Sequence, residues 1–210
     1  MNCRPRSSAQ TGVWVSGGNR SSDIFFFTLH EEKQAIIKRG SICLSLPGKT
    51  GINDQIALIP ANCASKVVYF ATILRAQNLK IAALLDSDAE GELAAKQDTL
   101  VNALGNKRIL RTKDAYSGQV STPEIEDILR DTLLTIAKEQ YNWDGMDIAQ
   151  KQEKRPTVDI LESVGKEDFS KYKLAKAFIR WSREHDLSDL KATEIEQAEK
   201  LIEKVNKALQ

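Results

Sequence analysis

Lys80 is followed by Ile81-Ala-Ala-Leu-Leu85, an uninterrupted apolar run, and then at once by Asp86-Ser-Asp88. A strand that is apolar at every position must be covered on both faces, and such strands belong to parallel sheets packed between helices. Gln55-Ile-Ala-Leu-Ile-Pro60 is a second compact run, ended by proline. Arg108-Ile-Leu110 is a third, and Gly12-Val-Trp-Val15 and Phe25-Phe-Phe27 suit short strands. Between them lie helical stripes. Ser65 to Gln77 carries Val67, Val68, Phe70, Ala71 and Leu74, and Glu90 to Leu104 carries Leu93, Ala94, Leu100 and Leu104 as its expected inward face. Pro123 opens a further helix with Glu124, Glu126 and Asp127 in its first turn, where acids meet the positive end of the dipole. Strands alternating with helices imply βαβ units. The expected fold class is therefore α/β, a mostly parallel four-stranded sheet flanked by helices.

After about residue 140 the strand-like runs stop. Ile160 to Val164, Tyr172 to Trp181 and Thr193 to Leu209 read as helices, the last with Ile195, Ala198, Leu201, Ile202, Val205 and Leu209 on one stripe. The expected organisation is a disordered start over 1–12, an α/β domain over 13–140 and a helical appendage over 141–210. With 30 basic and 29 acidic residues the net charge is +1, so nucleic-acid binding requires a local basic patch or a partner domain. Cys3, Cys43 and Cys63 are far apart, with no CxxC and no Cys/His cluster, which argues against structural zinc. They fit reduced thiols in a cytoplasmic protein. No apolar run is long enough to cross a bilayer, and no secretory leader is expected.

The chemistry centres on Leu84-Leu-Asp-Ser-Asp-Ala-Glu-Gly-Glu92. Residues i and i+2 of a strand point to one side, so Asp86 and Asp88 can converge on one hard cation as the strand ends. Mg²⁺ takes oxygen ligands, commonly one or two carboxylates completed by water and phosphate. Gly91 would let the backbone turn closely into the next helix. The bland alternative is that the aspartates cap that helix. Pro123-Glu-Ile-Glu-Asp127 and Ser22-Asp23-Ile24 are further acidic points whose bland roles are dipole compensation and capping. His30 and His185 stand isolated. Tyr69, Trp14, Trp143 and Trp181 read as core or interface rather than as stacking platforms.

The order of these segments resembles the Toprim domain, and within it the overcoming-lysogenization-defect family of ATP-dependent nucleases. Ile59-Pro-Ala-Asn-Cys-Ala-Ser-Lys66 and Leu85-Asp-Ser-Asp-Ala-Glu-Gly91 match the family's middle elements. Ile125-Glu-Asp-Ile-Leu129 resembles its downstream Glu-Asp element, and Asp168-Phe-Ser-Lys-Tyr-Lys-Leu-Ala175 its late lysine element. The resemblance spans roughly residues 19 to 180, and the DxD segment is its most specific part. It implies phosphodiester cleavage of DNA or another nucleic acid at a two-metal Mg²⁺ or Mn²⁺ site. Asp23, Asp86, Asp88 and Glu126 would be the metal ligands, with Asp86, Asp88 and Lys171 as the catalytic groups. It also implies a separate ATPase module as partner and allows a homodimer.

Two departures qualify that expectation. The family's first glutamate is missing: Asn19 stands in its place when Asp23 takes the second acid, and Ser16 does so in a gapped alignment. No Walker motif occurs, so the chain corresponds to the part that follows the ATPase. The alternative is a catalytically inactive Toprim-derived binding module. A type IA topoisomerase would need a gate with a nucleophilic tyrosine. Primase-type Toprim proteins carry zinc modules, and a haloacid-dehalogenase phosphatase would need Thr or Val where Glu90 stands.

Overall fold

The computed structural model describes residues 24–28, 51–53, 55–61 and 64–210, so Gly12–Val15 and the 1–12 start lie outside the described residues. Strands β1 (Ile24–Thr28), β2 (Ile56–Pro60), β3 (Lys80–Leu85) and β4 (Ile109–Arg111) pair in parallel in the order β2-β1-β3-β4. Helix α1 (Ala64–Ala76) links β2 to β3, and α2 (Ala89–Ala95) and α3 (Asp98–Leu104) link β3 to β4. Then follow α4 (Ile125–Ile128), α5 (Arg130–Tyr141), α6 (Met146–Lys151), α7 (Thr157–Gly165), α8 (Lys171–Trp181) and α9 (Ala192–Ala208). The class is α/β.

Strand β3 explains its own sequence. Ile81, Ala83 and Leu85 pack into one core with Val67, Ala71, Ala94, Leu100, Leu104 and Ile109. Ala82 and Leu84 face the other way, into a core with Leu110, Leu133, Ile136, Leu174, Phe178, Leu201 and Val205. From Ile81 to Leu85 successive side chains alternate between two buried faces, and the first polar residue comes as the strand ends, at Asp86. The second core also shows that residues 141–210 share their interior with the sheet. The α9 stripe of Ala198, Leu201, Ile202, Val205 and Leu209 is buried in it.

The expected single helix over Glu90 to Leu104 is two helices. Gln97 turns extended (φ −65°, ψ 123°) and caps α3. The break shifts the phase of the apolar stripe. Ala94, Leu100 and Leu104 remain inward, whereas Leu93 is 68% exposed. Tyr69, expected in the core or an interface, is also exposed. Trp143 is buried and stacks on Tyr141 at 4.5 Å between ring centroids, while Trp181 stacks on Phe178 and His185. Among the described residues no helix is long and apolar enough to cross a membrane.

Gly105 ends α3 at φ 76°, ψ 149°, a backbone region closed to residues with a Cβ, and so turns the chain toward β4. Space is not the constraint there, since nothing lies within 4 Å of a Cβ built at that position. Gly105→Ala is expected to cost about 1–3 kcal/mol from backbone strain alone. Thermal melting checks this, at roughly 2–4 °C per kcal/mol for a chain of this size. An unchanged midpoint would show that this turn relaxes freely.

Candidate functional site

In open α/β sheets the ligand crevice lies beyond the carboxyl ends of the strands, where the strand order reverses. Here the chain goes from β1 to β2 on one side and then crosses to β3 on the other, so the reversal lies between β1 and β3. Asp86 is the first residue beyond β3 at that edge and is 4% exposed. Ser87, beside it, is buried and clamped from two directions. Its N–H donates to the Pro123 carbonyl (3.2 Å), and its Oγ accepts from the Lys113 N–H (2.9 Å). Thr112 Oγ donates to the Leu85 carbonyl at 3.4 Å. The exit of β3 is thus fixed by the exit of β4 and by the segment that opens α4.

Asp88 takes up the bland role of a helix cap. It is the N-cap of α2, and its Oδ1 accepts from the Gly91 N–H at 2.7 Å. Gly91 is required by contact. A Cβ built on it would lie 2.1 Å from the Asp86 carbonyl oxygen and 3.1 Å from Asp88 Oδ1. The acidic loop and the helix start are folded onto each other so tightly that only glycine fits.

The segment joined to Ser87 through Pro123 carries Glu124 and Glu126. Glu124 caps α4, and its carboxylate pairs with Lys171 at 2.6 Å, which brings the first residue of α8 to the same place. Glu126 lies in α4 and is 1% exposed. Asp127 is the hinge of this arrangement. Its Oδ1 accepts from the Thr157 N–H (2.8 Å) and hydroxyl (2.7 Å), its Oδ2 accepts from the Glu124 N–H (2.9 Å), and Arg130 lies 3.5 Å away. Burial pushes its carboxyl above the usual range, and these donors and Arg130 oppose that. Sequence reasoning passed over Asp127 as half of a Glu-Asp pair. The signal available was the spacing Glu124-x-x-Asp127, a capping box.

At the exit of β4, Lys113 (2.5 Å) and Arg111 (3.5 Å) flank Glu92. The Lys113 ammonium, hydrogen-bonded to it, holds the Glu92 carboxyl below its usual range despite partial burial. These cations were not anticipated, because nothing local marks Arg111 and Lys113 as neighbours of the acidic loop.

Asp23 lies outside the described residues. Its successor Ile24 is the register partner of Lys80, and Asp86 comes six residues after Lys80, about 20 Å along the sheet at ~3.3 Å per residue. The end of β1 that neighbours Asp86 is Thr28, after which the sequence reads Leu29-His30-Glu31-Glu32. Asn19 and Ser16 also lie outside the described residues. Among the described residues no three His, Cys, Asp or Glu side chains are grouped to hold a metal ion.

A wider cleft of about 570 Å³ runs between residues 116–119, α5, α6 and the start of α9, and neither Asp86 nor Asp88 lines it. Its charges are occupied within the fold. Glu194 accepts from the Thr132 N–H (3.0 Å) and hydroxyl (2.7 Å), and Lys191 pairs with Asp131 at 2.9 Å. Burial raises the Tyr116 hydroxyl in its wall. It reads as a polar seam between helices. Comparison of the chain with protein-family models, curated proteins and solved structures finds no match.

Proposed function

We propose that this chain is a Toprim-like domain that binds a divalent cation and a nucleic-acid phosphodiester at the carboxyl edge of β1 and β3, with impaired cleavage. The observation that carries the reading is the hydrogen bond from Ser87 to Pro123. It draws the DxD loop, the Glu124–Glu126 segment and, through Glu124, Lys171 to one edge of the sheet. These are the segments on which the resemblance rests, and they come from three separate parts of the sequence.

The residues fit one hard cation better than two. Asp86 and Asp88 offer carboxylate oxygens on either side of the clamped Ser87, the number that Mg²⁺ commonly takes from protein. Asp88 would hold an ion while its Oδ1 continues to cap α2. Glu126 is buried in α4, two residues after Glu124. A bound Mg²⁺ or Mn²⁺ would polarise a phosphate oxygen and ease ionisation of a water. Lys171 would neutralise phosphate charge only in exchange for Glu124, since a lysine is a single point charge. Loss of a general base alone costs typically about 10²–10⁴-fold, which is the basis for expecting slow cleavage.

The second reading is a non-catalytic Toprim-derived binding module. It is favoured by the capping role of Asp88 and by the neutralisation of Lys171. Mn²⁺ titration followed by plasmid nicking, on the chain and on Asp86→Ala, separates the two. We expect Mn²⁺ binding that Asp86→Ala removes, with nicking slow or undetectable. Slow nicking that Asp86→Ala abolishes supports the enzyme, and if Glu31→Gln or Glu32→Gln also abolishes it, the β1 acid is found. Metal binding without nicking supports the module. Mn²⁺ binding or nicking indifferent to Asp86→Ala removes the Toprim site assignment. Asn19→Glu or Ser16→Glu, which restores the acid that the resemblance lacks, is expected to raise nicking if only that group is missing.

A further inference from the structure

A groove of about 430 Å³ lies between the short 3₁₀ turn Asn106–Arg108, which leads into β4, and the carboxyl-terminal turns of α9. It is lined by Lys107 and Arg108 from the turn and by Lys204 and Lys207 from the helix, with Leu110 and Ala208 between them. Among the described residues no acidic side chain lines it. Arg108 and Lys204 are half-buried. Among the described residues none of the four cations forms an ion pair. A chain of net charge +1 has therefore gathered four of its positive charges in one concave place. Lysines in the last turns of a helix are ordinarily explained by the helix dipole. That accounts for Lys207. It does not account for Lys107 and Arg108, which reach the same groove from about a hundred residues away under the turn that Gly105 permits. Like charges brought together repel, and a polyanion laid along them relieves the repulsion.

We propose that this groove binds the phosphate backbone of a nucleic acid, without regard to base sequence. The choice of nucleic acid as the polyanion rests on the function proposed above; the anionic character of the ligand rests on the groove alone. Three lysine point charges and one guanidinium, two cations on each side of an open groove, suit a string of phosphates rather than a single one. Lys204 and Lys207 are spaced i, i+3 on one helix face, about 4.5 Å along its axis. Arg108 stands three residues before Arg111, the partner of Leu85, so the groove is set back about 10 Å from the carboxyl edge of the sheet. A polymer held there has its next phosphates within reach of that edge.

The test is fluorescence anisotropy with labelled single-stranded and duplex DNA in EDTA, so that no divalent cation contributes. Circular dichroism melting verifies that each variant is folded. The pairs Lys204→Glu with Lys207→Glu, and Lys107→Glu with Arg108→Glu, are each expected to raise Kd roughly tenfold or more. On duplex, the slope of log K against log salt should fall by roughly 0.9 for each phosphate that the variant no longer neutralises. Lys154→Glu, at an exposed lysine outside the groove, should bind as the parent does. Unchanged affinity in both folded pairs, or no DNA binding by the parent chain, overturns the proposal. Polyglutamate binding as tightly as DNA, with the same dependence on the four cations, overturns it in favour of an acidic protein partner. Binding that survives while Mn²⁺-dependent nicking is absent counts against the cleavage reading alone.

Discussion

Gly91→Ala is expected to destabilise the protein by about 3 kcal/mol or more, at the upper end of what overpacking costs. The added Cβ would sit 2.1 Å from a backbone oxygen, that of Asp86, so no side-chain rotation relieves the contact. Either α2 moves away from the DxD loop or the loop moves off β3, and in both cases the hydrogen bond from the Gly91 N–H to Asp88 lengthens. Urea unfolding reads the loss of stability. Mn²⁺ titration of the folded variant should show weakened binding as well, because Asp86 and Asp88 shift relative to each other. Leu93→Ala, on the exposed side of the same helix, serves as the control and should change stability by less than about 0.5 kcal/mol. Equal stabilities for the two variants would mean that the close packing of Gly91 on Asp86 is not present in solution.

Asp127→Ala should have a comparable effect by a different route. It leaves the Thr157 N–H, the Thr157 hydroxyl and the Glu124 N–H without their acceptor, and a buried orphaned donor costs about 1–3 kcal/mol. Arg130 keeps the Arg155 carbonyl at 2.7 Å, so it is not left unpartnered. A total of about 3 kcal/mol, the low end of that sum, lowers the melting midpoint by roughly 6–12 °C. The loss should also depend on pH. Burial raises the folded carboxyl above its unfolded value near 3.9, so the folded state holds the proton more tightly. The contribution of Asp127 is then fully present at low pH and declines as pH rises from about 4 through the folded value. The gap between parent and variant should accordingly be widest near pH 4 and narrower at pH 7. A gap that widens with rising pH would show that Thr157, Glu124 and Arg130 outweigh burial. Because Asp127 anchors Glu124, and Glu124 holds Lys171, the variant should also loosen the start of α8, visible as faster amide exchange at Lys171–Leu174.

The sequence by itself determined the four described strands to within a residue, and most of the described helices, because apolar runs and helical stripes are local patterns that report which faces are buried. The run at Lys80–Leu85 fixed β3 to the residue, and with it the place of Asp86 at a strand end. Period alone did not locate the break at Gln97, since a stripe interrupted by two residues still reads as one helix until its phase is tested by packing. That is why Leu93 was expected inside and lies outside. The assembly of the candidate site was decided by tertiary structure. Ser87 meets Pro123, Lys113 meets Glu92, and Lys171 meets Glu124 across separations of 36, 21 and 47 residues. Nothing within a window of sequence encodes which of many charged residues will pair when loops of that length close. The same holds for the basic groove of Lys107, Arg108, Lys204 and Lys207. A near-neutral composition conceals that groove, because composition sums charges over the whole chain while folding sorts them by position.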